Sequence, residues 1–426
     1  MNVKYLIIGN SAAGIGAIES IRKNDADSSI AVISDENMYA YSRALIPYYL
    51  QGKIEKDQLY LRDEDFYKKN DISPIFGKKV VNIKPNNNKI TLKDSSEIEY
   101  EYLIIASGGK PFIPTIKGLN DNFYSFTSFK DVENIKKEIS TGNTKEIVIL
   151  GAGLIGLLAA ESLKSLNMNI TVIELADRIL INVLDPLTSN IYEQLMKEHD
   201  IQIVKGHTIS EIRTAVDNNE KIRKVILDNN DELDCDLLII ATGVRPRVQF
   251  LKNTNIEINR GIIVNPRMQT NVANIYACGD CAEVYDFIHN QNKITPIWPA
   301  AYIGGLIAGS NLTGQNTKLE CITNMNSMKF FGLPVMSAGL IEVPEENGYQ
   351  ELMKYDQKNI HYKKLILKDG TIKGLISLNQ IENTGIILNL MRNRIDVSEF
   401  KDRILESDFD LIDLPRYIRK EMLTGG

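Results

Sequence analysis

Ile147-Val148-Ile149-Leu150-Gly151-Ala152-Gly153-Leu154-Ile155-Gly156 is the stretch on which the fold turns. Four apolar residues that favour strands run into a full G-x-G-x-x-G. A helical segment then reaches about Leu166, and a second apolar run follows at Ile170–Ile173. That order predicts strand, tight turn, helix, strand, the βαβ unit of a parallel sheet. Gly151 makes the turn, Gly153 lets the backbone approach a pyrophosphate, and Gly156 lets helix pack on strand. Glu174 ends the second strand, where a carboxylate accepts both ribose hydroxyls and repels a 2′-phosphate, so the pattern favours NADH over NADPH. Arg178, close by in sequence, weakens that preference.

Working outward, the chain opens in the same way. Val3–Ile8 is a short apolar run, Ala12–Lys23 carries Ile15, Ile18 and Ile21 at helical spacing, and Ile30–Ile33 is a second apolar run. The turn between them, Gly9-Asn10-Ser11-Ala12-Ala13-Gly14, has Ser11 at the second glycine position. The helix start after it offers free N–H groups and the positive end of a dipole to phosphate. Asp35 and Glu36 follow Ser34 where an acid for ribose hydroxyls is expected. Alone, this turn is a weak signal, and a buried Gly-rich βα turn without a ligand is the lesser reading. Each unit is followed by a matching strand, Tyr102-Leu-Ile-Ile-Ala-Ser-Gly-Gly109 and Asp236-Leu-Leu-Ile-Ile-Ala-Thr-Gly243. Polar stretches that suit hairpins, Asn82–Tyr100 and Glu211–Asp234, fill the intervals. A third element, ending Ala277-Cys278-Gly279-Asp280, puts a carboxylate at a strand end, suited to sugar or ribityl hydroxyls. From Thr323 the texture changes. Met328–Ile341, His361–Leu367 and Thr371–Leu378 read as strands, and Asn383–Arg394 and Ser398–Leu405 as helices, an α+β unit of about 100 residues.

The bulk properties agree. A chain of 426 residues holds roughly three domains of ~150. With 43% hydrophobic and 24% charged residues it has the material for several cores. A net charge of -6 lacks the basic footprint that nucleic acid requires. Four cysteines in such a chain make no disulfide framework. The longest apolar run, Ile147–Ala160, is shorter than the ~20 residues of a membrane span, and no targeting segment is visible. No membrane association and a cytoplasmic location are the expectations.

The two turns, the two strand ends and the Gly279-Asp280 segment, in this order, resemble the flavoproteins of the pyridine nucleotide–disulfide oxidoreductase superfamily, over essentially the whole chain. The similarity is greatest to the NADH:rubredoxin reductase and nitrite-reductase-like branch. The resemblance implies an α/β fold with two Rossmann-like domains, one for FAD (1–112 and 244–321) and one for NAD (113–243), and a C-terminal α+β interface domain (322–426). It implies FAD on Gly9, Ser11, Ala12, Ala13 and Gly14, with Asp35 or Glu36 as the ribose acid. Arg43, in the segment Tyr41–Pro47, would meet the FAD phosphates, and Val80 would read the adenine through its backbone. Ala106, Ser107 and Gly108 would form one strand-end motif and Gly243 would close the other. Gly279 and Asp280 would return to the flavin. NADH would lie on Gly151, Gly153, Ile155, Gly156 and Glu174. Trp298 opens the last helix on the flavin side, Trp298–Asn311, and reads either as core or as an aromatic beside the flavin. Two departures are visible. Pro47-Tyr48 stand where relatives carry a lysine, and Leu158 where NADH-binding relatives often have glutamate.

What is absent shapes the chemistry. Disulfide reductases of the superfamily carry a redox cysteine pair near the flavin, and this chain has no cysteine before Cys235. Ala44 occupies the place of the single reactive cysteine of thiol-using relatives. Cys278-x-x-Cys281 overlaps the Gly279-Asp280 turn and reads as packing in preference to a redox pair, with no second C-x-x-C for zinc. Cys235 and Cys321 are expected to be buried thiols. His199, His207, His289 and His361 have no ligand spacing and read as non-catalytic. Tyr39, Tyr41, Tyr48 and Tyr49 either shield the flavin or pack. The expected activity is hydride transfer from NADH to FAD and then electron transfer to a small iron–sulfur carrier such as rubredoxin. The alternatives are a peroxide-forming NADH oxidase, a flavoprotein whose NADH-bound state controls partner binding, and the reductase subunit of a larger iron–sulfur complex. Lys363-Lys364 reads as plain solvated charge before a docking patch. A homodimer is left open.

Overall fold

The computed structural model describes residues 1–215 and 221–424. Residues 216–220, inside the expected polar stretch Glu211–Asp234, lie outside the described residues. The opening run forms the strand Asn2–Ile8, all but its first residues buried on both faces, as a central parallel strand must be. It lies between the parallel strands Ile30–Ile33 and Glu97–Ile105. Ile72–Ile75 extends the sheet on one side, and Ile275–Ala277 pairs with the C-terminal half of Glu97–Ile105 on the other. The stretch Asn82–Tyr100 does form antiparallel β structure, Val80–Lys84 with Lys89–Leu92 and on to Glu97–Ile105. The register puts Ile8, Ile33 and Ala277 in one row with Ile105. The turns that follow them therefore open side by side at the carboxyl end of the sheet, where open α/β sheets bind ligands.

The helix Ala12–Asn24 packs on the helix Trp298–Leu312 at backbone distance. A Cβ on Gly16 would lie 2.4 Å from the Tyr302 carbonyl oxygen, one on Gly305 2.1 Å from that of Ala13, and one on Gly309 2.6 Å from that of Ala17. This contact brings the start of the second helix beside the first Gly-rich turn.

The second unit repeats the plan. Its strands run in the order Ile201–Lys205, Asn169–Glu174, Glu146–Leu150, Leu237–Ile240, all parallel, with Leu150, Ile173 and Ile240 in one row. The helix Leu154–Lys164 stops two residues before the expected Leu166, and Asn167 then turns the chain at φ +61°. A helix not foreseen, Pro186–Glu198, follows. Its start carries the standard signal, proline in the first turn after a capping acid, Asp185. The chain passes between the two units twice, through Gly109–Pro111 and Val244–Pro246, which pair antiparallel.

The third unit is a five-stranded antiparallel sheet in the order Met325–Phe330, Leu333–Gly339, Thr371–Leu378, His361–Lys368, Tyr349–Asp356. The single strand expected over Met328–Ile341 is a hairpin. Phe331 (φ +45°) and Gly332 (φ +88°) turn it, the two positive φ angles that a two-residue type I′ hairpin turn demands. The helices Thr384–Arg392 and Lys401–Ile404 match expected ones, the latter shortened at both ends. The strand Tyr349–Asp356 and the helix Arg416–Thr424 were not foreseen. No helix among the described residues is long and apolar enough to cross a membrane.

Candidate active site

The two Gly-rich turns are built alike at their glycines. The Gly9 N–H donates to the Ile33 carbonyl at 2.8 Å and the Gly151 N–H to that of Ile173 at 2.7 Å. A Cβ on Gly9 (φ +118°) would lie 2.0 Å from the Ala106 oxygen, and one on Gly151 (φ +111°) 2.5 Å from that of Ala241. Only glycine tolerates both the angle and the approach. Gly14 and Gly156 face back onto the turn, where a Cβ would meet the Gly9 oxygen at 2.1 Å and the Gly151 oxygen at 1.9 Å. Ser11 and Gly153 precede the helices with extended backbone and no side-chain cap, so both helix starts keep their N–H groups free.

Both starts open into one cleft of about 1460 Å³. Of the site residues expected from sequence, all but Gly14 and Gly156 line it, and those two do the packing expected of the third glycine. Ala44, Pro47 and Leu158, the positions of departure, also line it. Glu174 accepts hydrogen bonds from the Ala152 N–H at 2.7 Å and the Ala176 N–H at 2.9 Å, which presses its carboxylate onto the second turn. Arg178, expected to temper its selectivity, is ion-paired with Glu342 and does not line the cleft.

Both acids of the first turn are engaged. Glu36 pairs with Arg43 at 2.8 Å, and Asp35 with Arg247 at 2.8 Å. Arg43 also donates to the Thr127 carbonyl. Arg247 was missed in the sequence. It donates from Nε to the Gly109 carbonyl at 3.0 Å, and its own carbonyl accepts from Ser107 Oγ at 2.8 Å. Its place just after the second crossing was the available signal. Asp280 has no hydrogen bond from another described residue. Burial pushes its pKa up, against the partly compensating charge of Arg43. An acceptor held in that state suits hydroxyl donors, and a Cβ on Gly153 would find open space, nothing within 4 Å. The residues present thus fit a sugar-bearing cofactor at the first turn and a pyrophosphate at the second.

Trp298 is not core. It is 46% exposed, lines the cleft, and stacks on Tyr302 with ring centroids 5.5 Å apart. None of Tyr39, Tyr41, Tyr48 and Tyr49 lines the cleft. Tyr41 and Tyr49 pack on Phe129 and Tyr39 on Tyr67, while Tyr48 is exposed. Cys278 and Cys281 are wholly buried free thiols behind the turn, with pKa raised by burial. Cys235 is likewise buried and its pKa is pushed up to about 12. Cys321, expected to be buried, is half-buried, because it sits where the first unit meets the C-terminal sheet. Among the described residues no cysteine or histidine lines the cleft. Lys363 and Lys364 are not solvated. They are 7% and 5% exposed, because their strand has neighbours on both edges and cover on both faces.

Residues 3–301 match the family model for pyridine nucleotide-disulphide oxidoreductases, and residues 325–395 match that for the rubredoxin NAD+ reductase C-terminal domain. The chain belongs to the pyridine nucleotide-disulphide oxidoreductase family. A family member of this build is an NAD(P)H oxidoreductase with FAD as cofactor, and the α/β fold with Rossmann-like sheets is the one expected from sequence. The chain is similar to subunit epsilon of an NADH-dependent phenylglyoxylate dehydrogenase from Aromatoleum evansii, 30% identical over 95% of each chain. It is also similar to an NADH oxidase from Methanocaldococcus jannaschii, 33% identical over 87% of this chain and 86% of that one. Among solved structures, an NADH:rubredoxin oxidoreductase from Clostridium acetobutylicum superposes with a TM-score of 0.77 at 25% identity, covering 95% of this chain and 99% of that one.

Proposed function

We propose that this oxidoreductase takes FAD at the first Gly-rich turn and NADH at the second, and reduces a small iron–sulfur carrier protein. In this reading 1–112 with 244–321 form the FAD domain, 113–243 the NAD domain, and 322–426 the interface domain. The supporting observation is the thiol-free cleft shared by both turns. With Ala44 and Pro47 in its wall and Cys278 and Cys281 buried behind it, no protein thiol stands ready to relay electrons. Bound FAD would accept a hydride from NADH and pass electrons on singly. Gly9–Ala13 and Gly279 let the backbone reach the cofactor, Asp280 takes its hydroxyls, and Arg43 and Arg247 hold the two acids beside its ribose. Glu174 takes the NADH ribose and, with Arg178 turned away, discriminates against a 2′-phosphate. The similarity to a rubredoxin reductase supports a carrier of that class. The similarity to an NADH oxidase supports a second reading, in which oxygen is the acceptor. That to a dehydrogenase subunit is compatible with a place in a larger complex.

The test is the flavin absorbance of the purified protein, followed through anaerobic NADH, then NADPH, then air. Bleaching by NADH at least tenfold faster than by NADPH is expected, with slow recovery in air and fast recovery with rubredoxin. Recovery in air within seconds would favour the oxidase. No flavin band, and no FAD uptake on reconstitution, would sink both readings.

A further inference from the structure

The loop between Asn169–Glu174 and Pro186–Glu198 forms a wall of the nucleotide cleft through Leu180, Ile181, Asn182 and Val183. It is not relaxed. Leu180, an apolar and buried residue, sits at φ +53°, and its N–H donates to the Ala152 carbonyl at 3.0 Å, directly on the Gly-rich turn. Such a conformation persists only where the surroundings over-determine it. Its own unit fixes Leu180, through Ala152 and through the Val183 and Leu184 N–H groups that donate to the Leu180 carbonyl at 2.8 and 3.0 Å, and the C-terminal sheet fixes the end of the loop. The end of the loop is Asp185, whose Oδ1 does the ordinary work of a helix cap, accepting from the Thr188 N–H at 3.0 Å. Its other oxygen is given to the sheet, accepting from the Tyr362 hydroxyl at 2.7 Å and lying 3.4 Å from Lys364 Nζ. Lys364 in turn meets Glu351 at 3.0 Å. The Asp185 and Lys364 side chains are 3% and 6% exposed. A cap needs one oxygen. Burying the second with a lysine carries a desolvation cost that packing alone would avoid, and such an arrangement fixes position more than it adds stability.

We propose that Tyr362 and Lys364 are positioning residues for the pyridine nucleotide, acting through Asp185 to hold Leu180–Val183 against it. The proposal rests on the reading that the second turn binds NADH. The experiment uses the full-length, FAD-loaded protein and the variant Tyr362→Phe, which deletes the hydroxyl contacts to Asp185 at 2.7 Å and to Met353 Sδ at 4.0 Å. Tyr192→Phe serves as the control, since the Tyr192 hydroxyl bonds the Leu333 carbonyl of the same sheet at 2.8 Å and has no hydrogen bond to Asp185. Affinity for ADP-ribose is read by calorimetry, the NADH concentration for half-maximal flavin reduction by stopped flow, and stability by thermal midpoint. Tyr362→Phe is expected to weaken ADP-ribose and NADH by about fivefold or more, with FAD content unchanged, and Tyr192→Phe to lower only the midpoint. Affinities within twofold of the parent in Tyr362→Phe would overturn the proposal and leave the contact as plain fastening. A parent protein that binds neither ADP-ribose nor NADH would instead sink the reading of the second turn.

Discussion

Asp280 shows how a single group trades stability for binding. Its folded pKa is raised by burial, so deprotonation costs more in the cofactor-free fold than in the unfolded chain. The penalty sets in as pH rises past the ordinary carboxylate value of 3.8 and is complete above the raised one. At neutral pH, Asp280→Asn should therefore raise the melting temperature of the FAD-free protein, by about 1–2 °C. The same change removes a charged acceptor for hydroxyls, a loss of about 1.5–3 kcal/mol per bond, or roughly 10–100-fold in FAD affinity. Scanning calorimetry of the apoprotein beside a flavin titration checks both signs, and a lower apoprotein midpoint would refute the account. Residues of this kind were legible in the sequence, because a strand end next to a glycine fixes where a carboxylate points. Arg247 was not. Its partners Asp35 and Gly109 are distant in sequence, and only the pairing of the two crossings brings them together.

At the scale of elements, the glycines of the second turn separate two roles that one motif conceals. A Cβ on Gly153 meets nothing, whereas one on Gly156 meets the Gly151 carbonyl at 1.9 Å. Gly153→Ala should keep the parent's stability within about 0.5 kcal/mol, the usual range for an unstrained change that meets no neighbour. It should still weaken NADH, because it fills the approach of the pyrophosphate. Gly156→Ala should displace the helix Leu154–Lys164 and lower both stability and NADH binding, with FAD retained. Denaturant midpoints against NADH affinities for the pair test the division, and equal stability loss in both would contradict it. The βαβ units were readable because buried parallel strands are continuous apolar runs. The C-terminal sheet was harder. Its strand Tyr349–Asp356 is an exposed edge full of charge, with no apolar stripe to announce it. The buried pair Lys363-Lys364 looked like surface because the acid and carbonyls that receive it come from remote segments. Lys363 donates to the Ile404 and Glu406 carbonyls at 3.2 and 3.0 Å.

For the whole molecule, the C-terminal sheet is fastened to the second unit by contacts of unequal weight. Glu161 accepts from the Phe331 N–H at 2.7 Å, His199 stacks on Phe331, and Arg178 meets Glu342 near the surface. The Asp185–Lys364 pair is the buried one. Lys364→Met takes the cation from the buried Asp185 carboxylate and leaves it only hydrogen-bond donors, and should cost about 3–5 kcal/mol of unfolding free energy. Adding Asp185→Asn removes the stranded charge and should recover more than half of that, a non-additivity that a double-mutant cycle measures directly. Additive losses would mean the two groups do not act as a pair. The crossing between the first two units has a different consequence. Because the outgoing strand Gly109–Pro111 and the returning strand Val244–Pro246 run alongside each other in register, the segment between them begins and ends at neighbouring points. A polypeptide arranged in this way behaves as a cartridge. A foreign cartridge can be spliced in at these neighbouring points without lengthening the path of the host. Grafting a unit of other coenzyme preference onto this frame then needs two adjacent backbone seams, and a graft that keeps an acid at the place of Asp185 for Lys364.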